Sequence, residues 1–489
     1  MLSLVIFFPL AAGLVLLVLP ASRPRLVRWV ALLAAVTELA LTLVLLAGFN
    51  ANGGLQWETD VDWIPSLGAG YSIGVTGISL PLIILTALLT AVAMVYVLPE
   101  RQHTRGHAFL FLLMTTGLIG VFASRDLLLF YAFFEVGLVP MYFIIGIWGH
   151  ENRRYAAIKF FLYTRAGSLA MLLSFLGLYL SSSPRTFSLD ELAAQSPLSG
   201  TGAALALLGL VLGFGVKLPI FPLHNWLPDA HVEAPTEGSV LLAGAQLKMG
   251  AYGFIVVVPT LLPQATREYA PWLLAIALIT LVYGALAALA QSDLKRLVAY
   301  TSVNHMGYVI LGLAVWGLAD DGDVRRLALN GAAVQAVSHG LLTGGLFLLV
   351  GMLQARGHTR EMSRFSGLLQ AAPRYSFLLA ALAFGSLGLP GFSGFVAEFQ
   401  VLGATVSEQL WAAAVVVLGL VIMTALFILV LVRIVMGELS LPEPNFPDLD
   451  AREAIASVPL VVLSLAIGVL PFLLLRYIDP VSQQLSTLP

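Results

Sequence analysis

No cysteine occurs in the 489-residue chain, which excludes disulfides, iron–sulfur clusters and thiolate metal sites. Charge is nearly as scarce. Asp, Glu, Lys and Arg make up 11% of the residues, against about 25% in an ordinary soluble domain. The formal net charge is -2, and no basic face invites a nucleic-acid partner. Lysine appears four times, at Lys159, Lys217, Lys248 and Lys295. What fills the sequence instead is apolar: 59% of residues are hydrophobic. An all-α polytopic membrane protein follows, with the lipid bilayer as its solvent.

Apolar windows of about 20 residues, the length that crosses a ~30 Å hydrocarbon core, recur fourteen times. Their limits lie near 2–20, 29–49, 76–98, 108–123, 127–147, 158–181, 201–221, 238–260, 270–291, 294–317, 326–353, 374–400, 410–436 and 453–476. The first run lacks a basic lead and a convincing cleavage site, so it reads as a retained span rather than a signal peptide.

The basic residues orient these spans. With those at span ends, such as Lys159 and Lys295, counted in the adjoining loops, sixteen fall in odd-numbered loops and six in even-numbered loops and tails. Three more, Arg165, Lys217 and Lys248, lie within spans. The excess marks the odd loops as cytoplasmic and both termini as non-cytoplasmic. On the outer side the longest stretch is 50–75, with Trp57, Trp63, Tyr71, Glu58, Asp60 and Asp62. An interfacial hairpin and a flexible loop both fit it.

Two spans are interrupted. The seventh reads GFGVKLPIFPLHNW, with Pro219 and Pro222 just after Lys217; the twelfth reads FGSLGLPGFSGFVAEF, with Pro390 and Gly391 ahead of Glu398. Proline removes a backbone donor and clashes with the preceding turn, so each helix should split there. Freed backbone groups are tolerated at membrane depth only inside protein or beside a wet cavity. The breaks lie five spans apart, an odd number, so spans 4–8 and 9–13 would run in opposite senses as inverted repeats. The expected organisation is peripheral helices over 1–107, a first five-helix repeat over 108–263, a second over 264–436, and a loop with a last helix over 437–489. Two unrelated proline kinks are the plainer alternative.

A charge at bilayer depth costs roughly 3 kcal/mol on insertion scales, so each buried one needs a reason. Glu135, with apolar or small residues on either side, must be protonated or paired with a cation; a purely structural acid is the alternative. Lys217 and Lys248 pose the mirror-image problem. A lysine whose carboxylate partner comes and goes can release and regain a proton, whereas a snorkelling lysine needs no such role. His305 and His339, on consecutive spans, can relay a proton through either ring nitrogen. Hydrogen-bonded core histidines and axial haem ligation are the competing readings. Arg165, two turns inside the sixth span, needs an anion, and Glu135 is the natural candidate. The polar segment 223–239 carries His224, Asp229, His231, Glu233 and Glu237, in spacing that matches no zinc pattern. It is expected to form a rigid re-entrant turn at a water-filled cytoplasmic opening for protons.

The strings HNWLPDAHVEAPTEGSVLLAGAQLKMGAYG, DLKRLVAYTSVNHMGY and SLGLPGFSGFVAEFQVL resemble the antiporter-like membrane subunits of complex I, the proton-pumping NADH:quinone oxidoreductase, over nearly the whole chain. Glu398 stands where the L- and N-type subunits and Mrp-type antiporter subunits carry lysine, and where the M type (chain 4) carries glutamate. HTREMSRFSGL, from His358 to Leu368, also looks M-like. The resemblance implies that Glu135 is the essential carboxylate of the fifth span and Lys217 its partner lysine. It makes Lys248 the central lysine, His305 and His339 the relay, and Glu398 the terminal residue. Arg165 departs from the usual uncharged residue; with His224 and Asp229 it is a possible modulator. The resemblance further implies a non-redox subunit of a translocating oxidoreductase, with flavin, iron–sulfur clusters and quinone on other subunits. The expected partners are the L-like and N-like subunits. An Mrp-type cation/proton antiporter subunit is the alternative, disfavoured by Glu398; a haem- or quinone-binding redox subunit is a third.

Overall fold

The computed structural model describes residues 1–97, 103–443 and 446–489. Residue 98, at the end of the expected third span, and Arg101 lie outside the described residues. Long apolar stretches must satisfy every backbone N–H and C=O internally in lipid, and helix is the local way to do so. Among the described residues, twelve helices are long and apolar enough to cross a membrane, from Pro24–Ala47 to Ala451–Val469. The chain is an integral, multi-pass protein. The two expected spans outside that set take other forms. The first is the shorter apolar helix Leu2–Val18, and the twelfth is a pair of helices, Pro373–Ser386 and Ser393–Glu408.

Burial separates the middle of the bundle from its rim. The apolar windows of Thr236–Leu261 and Gly322–Gly357 are 100% buried and that of Leu294–Leu318 is 94% buried, against 33% for Pro24–Ala47. Helices apolar on all sides belong at the centre of a bundle. These three carry Lys248, His339 and His305. Two of them touch backbone to backbone: a Cβ on Gly340 would sit 2.8 Å from the Gly244 carbonyl oxygen. Only glycine permits that approach.

The stretch 50–75 resolves into a hairpin rather than a flexible loop. Gln56–Ile64 pairs antiparallel with Ala69–Val75, turning through Gly68 in the left-handed region. Asp126 fastens it to the bundle. One carboxylate oxygen accepts from Gly70 N at 3.0 Å while the other accepts from Leu128 N and Leu129 N, both at 2.9 Å. The same side chain therefore caps the helix Leu127–Trp148, which carries Glu135, and supplies its otherwise orphaned first-turn donors.

Two expectations change. The segment 223–239 is not an open turn: it folds into the helix Trp226–Glu233, and Trp226, His231 and Glu237 are fully buried. Lys295, counted above with a loop, is also fully buried. In a membrane protein the rim faces lipid, so polar residues gather inward and a polar string is no sign of exposure.

The last apolar helix, Ala451–Val469, is locked to the long central one by a bidentate pair. Arg356 donates to Glu453 at 2.6 and 3.0 Å, and Glu453 completes a capping box with Asp450. Both side chains are about one-tenth exposed or less. Breaking a buried pair by removing one partner costs about 3–5 kcal/mol, because the other charge is stranded. Arg356→Met or Glu453→Met alone should therefore lower the thermal midpoint of the purified protein more than the double replacement does. Singles as stable as the wild type would show that the pair does not hold these helices together.

Candidate functional site

The first interruption follows from two prolines. The helix Gly200–Lys217 stops where Pro219 and Pro222 cannot continue it. The carbonyl of Val216, left without a helical donor, accepts from Trp226 Nε1 at 2.9 Å. Phe221 N finds Thr280 Oγ1 at 3.1 Å. Lys217, the last residue before the break, is buried, and its Nζ has no hydrogen-bond partner among the described residues. It lies 5.4 Å from the ring centre of Phe160 and 5.7 Å from that of Phe134, close enough for cation–π attraction.

Glu135 is held elsewhere. Ser168 Oγ donates to its Oε1 at 2.6 Å, and Arg165 forms an ion pair with its Oε2. Arg165 also reaches Tyr131 Oη at 3.4 Å. The Arg165 side chain is 41% exposed, so this pair sits at the outer face of the bundle. The expected Glu135–Lys217 pairing is therefore absent in this structure. The rotation of the helix Arg153–Ser181 presents Arg165 and Ser168 to Glu135 first.

Lys248 sits in one short α-helical turn, Leu247–Tyr252, between two π-helical segments, Leu242–Gln246 and Gly253–Val257. A π segment shifts the hydrogen-bond register and liberates backbone groups. Ala243 O, five residues back, accepts from Lys248 Nζ at 2.7 Å. The same nitrogen lies 2.5 Å from His339 Nδ1. The Gly244–Gly340 crossing places these two side chains within reach. Gln246 ties the segment back toward Glu135, donating to Gly137 O at 2.5 Å.

The second interruption receives the other histidine. Pro373–Ser386 ends, Gly388 and Gly391 take positive φ of 78° and 102°, and the chain restarts at Ser393. The freed carbonyl of Ser386 accepts His305 Nε2–H at 2.9 Å. That leaves His305 Nδ1 as the acceptor nitrogen, without a partner among the described residues. The His305 and His339 ring centres are 5.7 Å apart. Glu398 is buried, and its carboxylate lies over Gly388, where a Cβ would strike it. The structure thus joins Lys248 to His339, sets His305 beside them and brings Glu398 to the break that His305 touches.

The other candidates fall at one end of the bundle. His224 stacks on Phe221 and lies tilted against Tyr283. Asp229 pairs with Lys159 at 2.7 Å and Arg296 at 3.5 Å. Glu233 Oε2 accepts from Asn152 N at 2.9 Å, and Glu237 meets His107 at 3.0 Å. With their carboxylates so engaged, no three His, Asp or Glu among the described residues converge on a metal position. Sequence reasoning missed Ser168, Gln246, His107 and the buried state of Lys295. The first two carry no charge to mark them.

Residues 124–424 match the family model described as NADH:quinone oxidoreductase/Mrp antiporter, transmembrane. The chain is 39% identical to NADH-quinone oxidoreductase subunit M of Rhodobacter capsulatus, covering 98% of this chain and 95% of that one. It is 38% identical to NAD(P)H-quinone oxidoreductase chain 4 of Gloeobacter violaceus, covering 99% and 92%. Among solved structures it is similar to a chain of respiratory complex I from Thermus thermophilus, with a TM-score of 0.90, 32% identity and coverage of 100% and 99%. A chain of the Mrp complex from Dietzia sp. shares the fold, with a TM-score of 0.87, 22% identity and coverage of 99% and 98%.

The Glu135–Arg165 pair makes its own prediction. Removing one member strands the other in apolar surroundings, whereas removing both does not. Glu135→Leu and Arg165→Leu should each reduce the amount of chain inserted in membranes, and the double replacement should restore it. Equal amounts in all four proteins would mean that Arg165 only reaches for the interface.

Proposed function

The chain belongs to the NADH:quinone oxidoreductase/Mrp antiporter transmembrane family, and on that premise we propose that it is the M-type, proton-translocating membrane-arm subunit of a redox-driven NADH:quinone oxidoreductase. The observation that carries the reading is the Lys248–His339 contact, 2.5 Å between a buried amine and a buried imidazole. A proton on Lys248 passes to His339 Nδ1, and the imidazole releases one from Nε2. His305, with its Nδ1 lone pair open, accepts it and hands it on toward Glu398 at the second break. An imidazole that takes a proton on one nitrogen and gives one from the other keeps its charge and changes tautomer, so it must return to the first tautomer before the next proton.

Glu135 and Lys217 set the charge beside this line. In the structure Glu135 answers to Arg165 and Ser168, while Lys217 lies between two rings. Phe134 adjoins Glu135 in sequence, so a modest swing of the carboxylate would trade Arg165 for Lys217. A lysine whose counter-charge comes and goes changes its hold on a proton, and two lysines in adjoining helices repel when both are charged.

The remaining parts of the reading follow from family membership. The two blocks 108–263 and 264–436 act as inverted repeats, each with one broken helix. The chain carries no redox group: with no cysteine, it has no thiolate to hold an iron–sulfur cluster. Flavin, clusters and quinone belong to other subunits. Its neighbours in the membrane arm are the L-like and N-like subunits, its membrane is the bacterial inner membrane, and its termini lie on the non-cytoplasmic side.

Sealed vesicles holding the native complex provide the test. Glu398→Gln keeps the shape of the side chain but cannot titrate. It and Lys217→Ala should cut quinone reduction coupled to proton transport by about a hundredfold or more, the low end of what a proton-transferring group contributes. Electron transfer from NADH to an artificial acceptor should survive in both. If Glu398→Gln pumps like the wild type, the exit lies elsewhere. Sodium transport in place of proton transport by the wild-type vesicles would turn the reading to a cation/proton antiporter.

A further inference from the structure

The line from Lys248 to Glu398 needs a supply of protons, and Lys248, His339, His305 and Glu398 are all buried. We propose that protons are delivered to Lys248 through a second buried line made of His107, Glu237, Lys295 and His231. This rests on the proton-translocation reading above.

The line begins near one end of the bundle. His107 and Glu237 lie in the first turns of the helices Thr104–Ala123 and Thr236–Leu241, at the end that the distribution of basic residues marks as cytoplasmic. His107 Nε2 and Glu237 Oε1 are 3.0 Å apart, and both side chains are almost wholly enclosed. Lys295 follows. It is fully buried, donates to Ala234 O at 2.6 Å, and feels the charges of Arg360, Glu237, Asp293 and Glu233. Arg360 is engaged elsewhere, with Asp293 at 2.9 Å and Val232 O at 2.8 Å. Lysine, unlike arginine, readily gives up a proton when buried.

His231 supplies the next step. It sits one helical turn before Ala234, stacked on Phe347 with ring centres 4.4 Å apart and planes 11° apart. It is fully buried, and neither ring nitrogen has a hydrogen-bond partner among the described residues. A buried polar group left unsatisfied costs about 1–3 kcal/mol, so it is retained for a reason. The charges that act on His231 are those of Lys295 and Lys248. Phe347 stands eight residues beyond His339 in the helix Gly322–Gly357, about 12 Å at 1.5 Å per residue. His231 therefore lies toward the cytoplasmic end, between the outer lysine and the central one. It takes a proton from Lys295 on one nitrogen and releases one toward Lys248 from the other, with no net change on the ring.

The test compares a charge-keeping substitution with charge-removing ones, in the native complex in sealed vesicles. Lys295→Arg keeps the charge but holds its proton, Lys295→Met loses both, and His231→Phe keeps the stacking on Phe347. All three should lower coupled proton uptake by about a hundredfold or more, while NADH oxidation by an artificial acceptor stays intact. If Lys295 served only as a structural cation, Lys295→Arg would behave as the wild type and overturn the proposal. Should His231→Phe fail to assemble, His231→Gln takes its place. Lys248→Ala separates the two levels of the argument. Wild-type pumping by that variant would remove the relay itself. An inactive Lys248→Ala beside fully active Lys295→Arg and His231 variants would remove only the supply line.

Discussion

Four buried donors in this protein are each met by a backbone carbonyl that a regular helix would not have to spare. Trp226 takes Val216 O, Lys295 takes Ala234 O, Lys248 takes Ala243 O and His305 takes Ser386 O. At membrane depth an unmatched carbonyl and an unmatched donor are both costly. Placing them together cancels the two costs. The proline breaks and the π segments are thus what allows amines and imidazoles to live in the bundle at all. A carbonyl also meets an amine without adding a full counter-charge. The hydrogen bond persists whether or not the amine holds its extra proton, which suits the proton-passing role proposed above.

The cations divide along the same line. Arg356, Arg360 and Arg267 are paired with Glu453, Asp293 and Asp320 at 2.6–2.9 Å, and they brace helix ends and loops. Arginine never surrenders its proton in a protein, so a carboxylate beside it always faces a full counter-charge. Three of the four lysines are buried with carbonyls, rings or an imidazole as neighbours. Lys159, the fourth, pairs with Asp229 near the rim. Arg165 breaks the pattern. It clamps the one carboxylate, Glu135, that the proton reading needs to be free to move.

Much of this arrangement was legible in the chain because membrane burial punishes charge so heavily. Glu135, Lys217, Lys248 and Glu398 stand out against apolar flanks, and Pro219 with Pro222, and Pro390 with Gly391, mark where helices split. Other parts were not legible, for definite reasons. Lys295 lies two residues past the helix cap Asp293 and looks like a loop residue, since sequence does not tell how far a helix end is sunk into protein. The π segments carry no signature such as proline. Whether Glu135 meets Arg165 or Lys217 depends on the rotation of whole helices, set by packing that spans the bundle.

The segment 223–239 teaches the most. Its histidines, acids and prolines would be a surface loop in a soluble protein, where polar groups are cheapest in water. Here the exposed rim is Leu, Val, Ile and Phe facing lipid, as at Leu173, Val421 and Phe377. Polar groups lower their energy by turning inward to meet one another. Trp226 meets Val216 O and Glu237 meets His107, and with His231 beside them they fill one end of the bundle with polar groups. A polar string between two spans therefore lines the protein's interior at that end, and its cluster of histidines and acids, costly against lipid, is what draws it there.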